Sequence, residues 1–223
     1  MPTFKLISLV TCPYVQRSLI TLEEKGVAYE VVHVDLQNKP PWFLALSPTG
    51  RVPVLLVREG ERETVLFESA VINEYLDEVT EGSLLPSDPL EKAQHRAMIE
   101  LGSAILADGW LLAVATEEED ARRHARALHD KLRRFEDAMV GPLYTGESLS
   151  LVDAAMLPAL LRLEWVDQMA PSLELLAGLP KVRRWLEVGG ARPSVQRSSV
   201  ADLRERYQQI FIKRGSWVGR QIA

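Results

Sequence analysis

Every strand-like run in this 223-residue chain lies before residue 68, and everything beyond a Pro/Gly/Ser-bearing connector at 81–89 reads as helix. Mixed α and β first, then helix only, implies two cores rather than one interleaved sheet. We expect a small α/β domain over residues 1–80, a linker over 81–89 and an all-helical domain over 90–223. The length suffices for both, and a hydrophobic content of 47% is that of an ordinary folded protein.

Within the first 80 residues the pattern changes period repeatedly. Phe4-Lys5-Leu6-Ile7-Ser8-Leu9-Val10 reads as a strand, and Val15, Leu19 and Leu22 recur as on the buried face of a helix. Pro13 suits the first turn of that helix and Gly26 its stop. Residues 28–35 form a second strand. A short helix or turn begins at Lys39-Pro40-Pro41-Trp42-Phe43-Leu44, and Ser47-Pro48-Thr49-Gly50 is a loop. Residues 52–57 are a third strand, the polar stretch 58–64 with Gly60 a hairpin turn, and Val65-Leu66-Phe67 a short fourth strand. Glu68-Ser69 opens a helix carrying Val71, Ile72, Tyr75, Leu76 and Val79 at helical spacing. The order β-α-β-α-β-β-α, with a right-handed crossover and a hairpin onto the same sheet, is a thioredoxin-like plan. Pro53 removes a ladder donor, so it belongs at the first residue of its strand. The context favours a cis Val52–Pro53 peptide, which would leave the Val52 backbone open to a peptide-like ligand.

The helical half has fewer landmarks. Residues 90–116 make one long helical pattern and 117–139 a second, acidic at its start and basic inside, as the helix dipole prefers. Gly141-Pro142 breaks it. Ser150-Leu151-Val152-Asp153 resembles a capping box with Asp in the usual place of Glu, opening a third helix over 154–168 in which Pro158 marks a kink or a late first turn. Pro171, Pro180 and Pro193 punctuate the remaining short helices.

Several function classes are excluded. No uninterrupted apolar run is long enough to span a membrane, and the N-terminal run, broken by Ser8 and Thr11, reads as a strand rather than a signal peptide. One cysteine rules out an intramolecular disulfide framework and fits a reducing, cytoplasmic setting. A net charge of −5 argues against general nucleic-acid affinity. Residues 192–223 nonetheless carry +5, from seven Lys/Arg and two acids. That tail either steers an anionic ligand or partner or is a solvated terminal face, and the latter is the plainer reading. His33, His95, His124 and His129 have no metal-ligand spacing, and no metal is expected.

Cys12 is the strongest chemical candidate. It stands at a strand-to-helix turn, directly before Pro13, where a helix N-terminus favours the thiolate. A thiol of pKa about 8.5 is only ~3% ionised at pH 7, whereas one lowered to about 6 is ~90% ionised. Position 15 is Val rather than Cys, so a mixed disulfide on Cys12 must be resolved by an outside thiol. Ser69 either caps its helix or helps hold a carboxylate, and the residues alone leave both open. Lys39 is an unremarkable charge by itself, and Trp110 and Trp165 read as helical core aromatics.

Together these pieces resemble the cytosolic glutathione transferases, most closely the omega class. The likeness is carried by Cys12-Pro13-Tyr14, by residues 36–43 (LQNKPPWF), 47–55 (SPTGRVPVL) and 67–78 (FESAVINEYLDE), and by 84–89 (LLPSDP). It is dense over the first 100 residues and weaker afterwards. It implies a glutathione site on the first domain, with Cys12 beside the glutathione sulfur and Val52, before cis Pro53, pairing its backbone with the cysteinyl part. Glu68 and Ser69 would hold the γ-glutamyl end and Lys39 would face the glycine carboxylate. The second substrate, small and electrophilic or a disulfide, would lie between the domains. The resemblance further implies a homodimer and glutathione-dependent thiol transfer or dehydroascorbate reduction through a Cys12 mixed disulfide. A non-enzymatic member of the same fold, of the stringent starvation protein A type, is the alternative. Ser47 stands where the family often has Asn, and a structural role is expected for it.

Overall fold

In the computed structural model, which describes residues 2–222, the chain divides into two compact units. The first comprises the residues up to Leu84 together with Pro193–Val200. Its strands β1 (Thr3–Ser8), β2 (Tyr29–His33), β3 (Val54–Glu59) and β4 (Arg62–Phe67) form one sheet in the order β2-β1-β3-β4. β1 and β2 run parallel, as a helical crossover requires, while β3 is antiparallel to both β1 and β4. That crossover is α1 (Pro13–Glu24), which packs against α3 (Ser69–Val79); α2 (Pro41–Leu46) lies between β2 and β3 in sequence. Leu6, Val15, Leu22, Val54, Leu55, Ile72 and Leu76 share the core.

The expected thioredoxin-like order is thus what forms, with one strand longer than its apolar run. β4 begins at Arg62, so most of the polar stretch 58–64 is ladder rather than turn, reversing at Gly60 where φ is +62°. Charged residues extend a strand readily where both neighbours face water, and Arg58 and Glu63 pair across it at 3.0 Å.

The domain limits need correction at two places. The connector is anchored at its start: Lys25 Nζ lies 2.9 Å from Asp77 Oδ1 and donates to the Gly82 carbonyl at 2.7 Å, while Asp77 also accepts from the Leu84 N–H and the Ser83 hydroxyl. Lys25 and Asp77 are almost wholly buried, so this ion pair fixes the exit from α3. The helical domain expected over 90–223 also gives up a segment. The short helix α8 (Pro193–Arg197) belongs to the sheet-bearing unit, held on α1 by Arg197 to Glu23 at 2.6 Å, Ser194 to Glu24, and Gln16 to Ser198 at 3.2 Å.

The second unit is helical: α4 (Pro89–Val114), α5 (Glu118–Ala138), α6 (Leu151–Met169), α7 (Pro180–Gly190), α9 (Leu203–Arg214) and α10 (Trp217–Arg220). α4 is apolar and long enough to cross a membrane by length and composition alone. It packs instead on α5 and α6, and its Asp108 pairs with Lys131 of α5 at 2.6 Å, as in the core helix of a helical domain. Most residues of α6 are buried. α7 approaches it closely at Gly189, where a Cβ would stand 2.6 Å from a Leu157 methyl. Pro158 is accommodated inside α6, and the capping box forms in full. Asp153 Oδ2 accepts from the Ser150 N–H (2.8 Å) and hydroxyl (2.6 Å), and Oδ1 from the Tyr144 N–H (2.8 Å) and Trp185 indole (2.7 Å).

His95 on α4 is buried, meets Tyr144 edge-on at 5.2 Å, and has no hydrogen-bond partner at Nδ1 among the described residues. Burial pushes its pKa below the usual imidazole value, and the charges of Asp153 and Glu91 offset that only in part. The unfolded imidazole therefore takes a proton more readily than the folded one. The His95 contribution to stability is complete above about pH 6.5 and is lost as pH falls through the window beneath it. Thermal unfolding followed by circular dichroism should show a melting temperature that declines from pH 7 to pH 5, with a shallower decline in His95→Gln; identical slopes would refute this.

Candidate active site

β1 ends at Ser8, and the chain turns before α1 through a bond from the Cys12 N–H to the Leu9 carbonyl at 2.9 Å. Cys12 is the N-cap residue of α1, extended at φ −75° and ψ 119°, and its carbonyl accepts the first helical bond from the Gln16 N–H. Pro13 occupies the first helical position. The thiol thus stands where a capping side chain stands in other helices, at the positive pole of the helix dipole. It is only partly buried.

Val52 meets this thiol. Cys12 Sγ lies 3.9 Å from the Val52 carbonyl oxygen, and the Val52–Pro53 peptide is cis, as the sequence suggested. A carbonyl oxygen accepts from a thiol and repels a thiolate, so this contact opposes the pull of the helix end. The Val52 side chain is buried in the core of the sheet-bearing unit. The loop before it is stapled by Ser47, whose hydroxyl donates to the Arg51 carbonyl (2.8 Å) and accepts from the Arg51 N–H (2.9 Å). The structural role expected of Ser47 is the one observed.

Lys39 is exposed, and its ammonium folds over this loop, 3.2 Å from where a side chain on Gly50 would begin. Gly50 has φ +60°, so the loop favours glycine there for its backbone. Glu68 is the N-cap of α3 with φ +69° and ψ 116°, a left-handed conformation rare for a residue with a Cβ, and costly by about 1–3 kcal/mol. Glu68 makes no side-chain capping bond among the described residues, and the N-cap position is its own rather than that of Ser69, which is the first helical residue and is buried. The strained Glu68 and the helix start together leave an uncapped N-terminal pole, suited to a carboxylate.

Tyr14 connects these parts and was not assigned a role from sequence. Its phenol is held above the usual value by burial, and the charges acting on it belong to Arg17, Cys12, Arg51 and Glu68. Cys12, Glu68 and the loop before β3 therefore border one neighbourhood. Arg17 was missed as well; its spacing of three from Tyr14 was the available signal, but nothing in the sequence marks it as buried. Trp110 carries Arg214 over its indole at 5.2 Å, and Trp165 meets Tyr207 edge-on at 5.9 Å, both within the helical unit. The basic tail is tied into the fold by Arg197 to Glu23 and by Arg220 to the Gly215 and Thr116 carbonyls, while Arg206 pairs with Asp202 on the exposed surface of the tail itself.

Known proteins resemble this chain in sequence and in fold. Residues 11–79 match the family model for the glutathione S-transferase N-terminal domain, and residues 118–187 match that for its C-terminal domain. The chain is 32% identical over 197 residues to glutathione S-transferase omega-1 of Sus scrofa, covering 86% of this chain and 78% of that one. Glutathione transferase Omega 3C of Trametes versicolor superposes with a TM-score of 0.76 at 28% identity, covering 95% of this chain and 89% of the other. A maleylacetoacetate isomerase of Anaeromyxobacter dehalogenans, solved with glutathione in its active site, gives 0.69 at 26% identity, covering 89% and 95%.

Proposed function

This chain belongs to the glutathione S-transferase family, with omega-like relatives, and from that premise we propose that it is a glutathione-dependent thiol transferase working through Cys12. The observation that carries the reading is the position of its single cysteine: the N-cap of α1, partly exposed, beside the cis peptide of Val52. Glutathione is the co-substrate. Its cysteinyl backbone pairs with Val52 in the manner of an added strand, and Pro53 fixes the turn that presents Val52. Its γ-glutamyl carboxylate meets the uncapped start of α3 at Glu68 and Ser69, and Lys39 faces its glycine carboxylate.

The chemistry runs in two exchanges. The Cys12 thiolate attacks the glutathione sulfur of a mixed disulfide, the substrate thiolate leaves and takes a proton, and a Cys12–glutathione disulfide forms. A second glutathione thiolate attacks the glutathione sulfur of that disulfide. Cys12 leaves as thiolate and glutathione disulfide departs. Overall one free glutathione thiol is consumed, one substrate thiol is released, and the mixed disulfide is exchanged for glutathione disulfide. With one cysteine in the chain, the second exchange needs the outside thiol.

Incubation of the purified protein with glutathione disulfide should add one glutathione to Cys12, read by intact mass and peptide mapping. No adduct would refute the cysteine mechanism. A homodimer is part of the same reading, and a sedimentation mass of one chain would overturn it.

A further inference from the structure

Arg17 is 1% exposed, more deeply buried than Asp77 at 6% in the same unit. An arginine cannot shed its proton to relieve burial, so its charge is permanent wherever it lies. Its guanidinium sits over the Tyr14 ring, with the central carbon 5.0 Å from the ring centroid. Tyr14 is the second residue of α1 and Arg17 the fifth. Long helical side chains slant toward the N-terminus, and five residues of helix rise about 7.5 Å. A guanidinium lying over the Tyr14 ring therefore reaches back along α1 toward its first turn, the turn that Cys12 caps.

We infer that Arg17 is a positioning residue for the Cys12 thiolate: stacked on Tyr14, it fixes that ring in the first turn and sets a permanent positive charge beneath the thiol. The stacking geometry is that of a cation on an aromatic face. It adds to the pull of the helix end against the Val52 carbonyl and the Glu68 carboxylate, which both disfavour a thiolate. The other groups bordering Tyr14 are Arg51, which acts in the same sense as Arg17, and Cys12 itself. Lys39 lies against Gly50.

This inference rests on the Cys12 reading, and the sole cysteine makes the two separable. Alkylation of the full-length protein by iodoacetamide, followed by intact mass from pH 4 to 9.5, reports the thiolate of Cys12 alone. Arg17→Met should raise the midpoint by about one unit, lowering the rate about tenfold at pH values well below the wild-type midpoint. The plateau at high pH should be unchanged or slightly higher, as a more basic thiolate is more nucleophilic. Arg17→Lys should restore most of the wild-type midpoint. Tyr14→Leu, which leaves the buried cation in place but removes the ring that holds it, should shift the midpoint in the same direction by less.

A wild-type midpoint near the free-thiol value of about 8.5 overturns the thiolate mechanism itself. A low wild-type midpoint that both Arg17→Met and Tyr14→Leu leave in place overturns only the role of Arg17. If Arg17→Met does not fold, Tyr14→Leu decides alone: an unchanged midpoint refutes the inference. A purely structural role would slow alkylation equally at every pH, or not at all, and is thereby told apart.

Discussion

Cys12→Ser should lower glutathione-dependent reduction of a mixed-disulfide substrate by at least about a thousandfold, the scale on which removing a nucleophile acts. Serine keeps the size and polarity of the N-cap residue and is itself a preferred cap, so α1 should remain intact or tighten slightly. What it lacks is an ionisable sulfur: a hydroxyl neither reaches the anion near neutral pH nor forms a disulfide. Binding should survive, because the groups assigned to glutathione, at Val52, Lys39, Glu68 and Ser69, lie on other elements. Conjugation of glutathione to an electrophile such as 1-chloro-2,4-dinitrobenzene should persist or rise, since the protein thiol no longer occupies the position beside the glutathione sulfur. Parallel assays of the two reactions provide the check. Equal thiol-transfer rates in wild type and Cys12→Ser would sink the mechanism, whereas loss of both activities together with loss of glutathione binding would point to a collapsed site rather than a missing nucleophile.

Asp153→Ala should destabilise the helical unit by about 4 kcal/mol, from two orphaned buried donors at roughly 1–3 kcal/mol each and a lost cap of about 1 kcal/mol. The carboxylate is 0% exposed and receives four donors. Two of them, the Tyr144 N–H and the Trp185 indole, come from other parts of the unit and have no water to turn to. Asp153→Asn keeps one acceptor oxygen but turns an N–H₂ group toward other donors, so about half of the loss is expected. Urea unfolding should show a lowered midpoint with little change in slope. A shift below about 1 kcal/mol in the alanine variant would mean that the network contributes far less than its geometry implies. Trp185 packs edge-on to Phe135 at 5.3 Å, and Phe135 stacks on Tyr144, so loss of the carboxylate should also loosen that aromatic cluster.

Much of the fold was legible because local signals agree with it. The change of period near residue 80, Pro13 and Gly26 at the two ends of α1, and Ser150 three residues before Asp153 each rest on interactions within one helical turn or one strand, and such interactions leave a mark in adjacent residues. The extension of β4 to Arg62 left no such mark, because a polar edge ladder is held by backbone bonds to β3 that side-chain pattern does not encode. The move of residues 193–200 into the sheet-bearing unit was also invisible: α8 has five residues, too few for a periodic face, and its attachment depends on Glu23, Glu24 and Gln16 some 170 residues earlier.

The site divides the same way. One thiol at a strand-to-helix turn, no second cysteine beside it and a cis proline expected nearby could all be read from the residues, since they follow from composition and from the backbone preferences of Pro13 and Pro53. That Cys12 faces the Val52 carbonyl, that Glu68 rather than Ser69 stands at the N-cap of α3 in a strained conformation, and that Arg17 is buried over Tyr14 emerge only once the chain has folded. Those outcomes depend on which surfaces meet when the loop before β3 and the start of α3 close around the N-terminus of α1. Burial of a charge is a property of that closure, not of the residue that carries it.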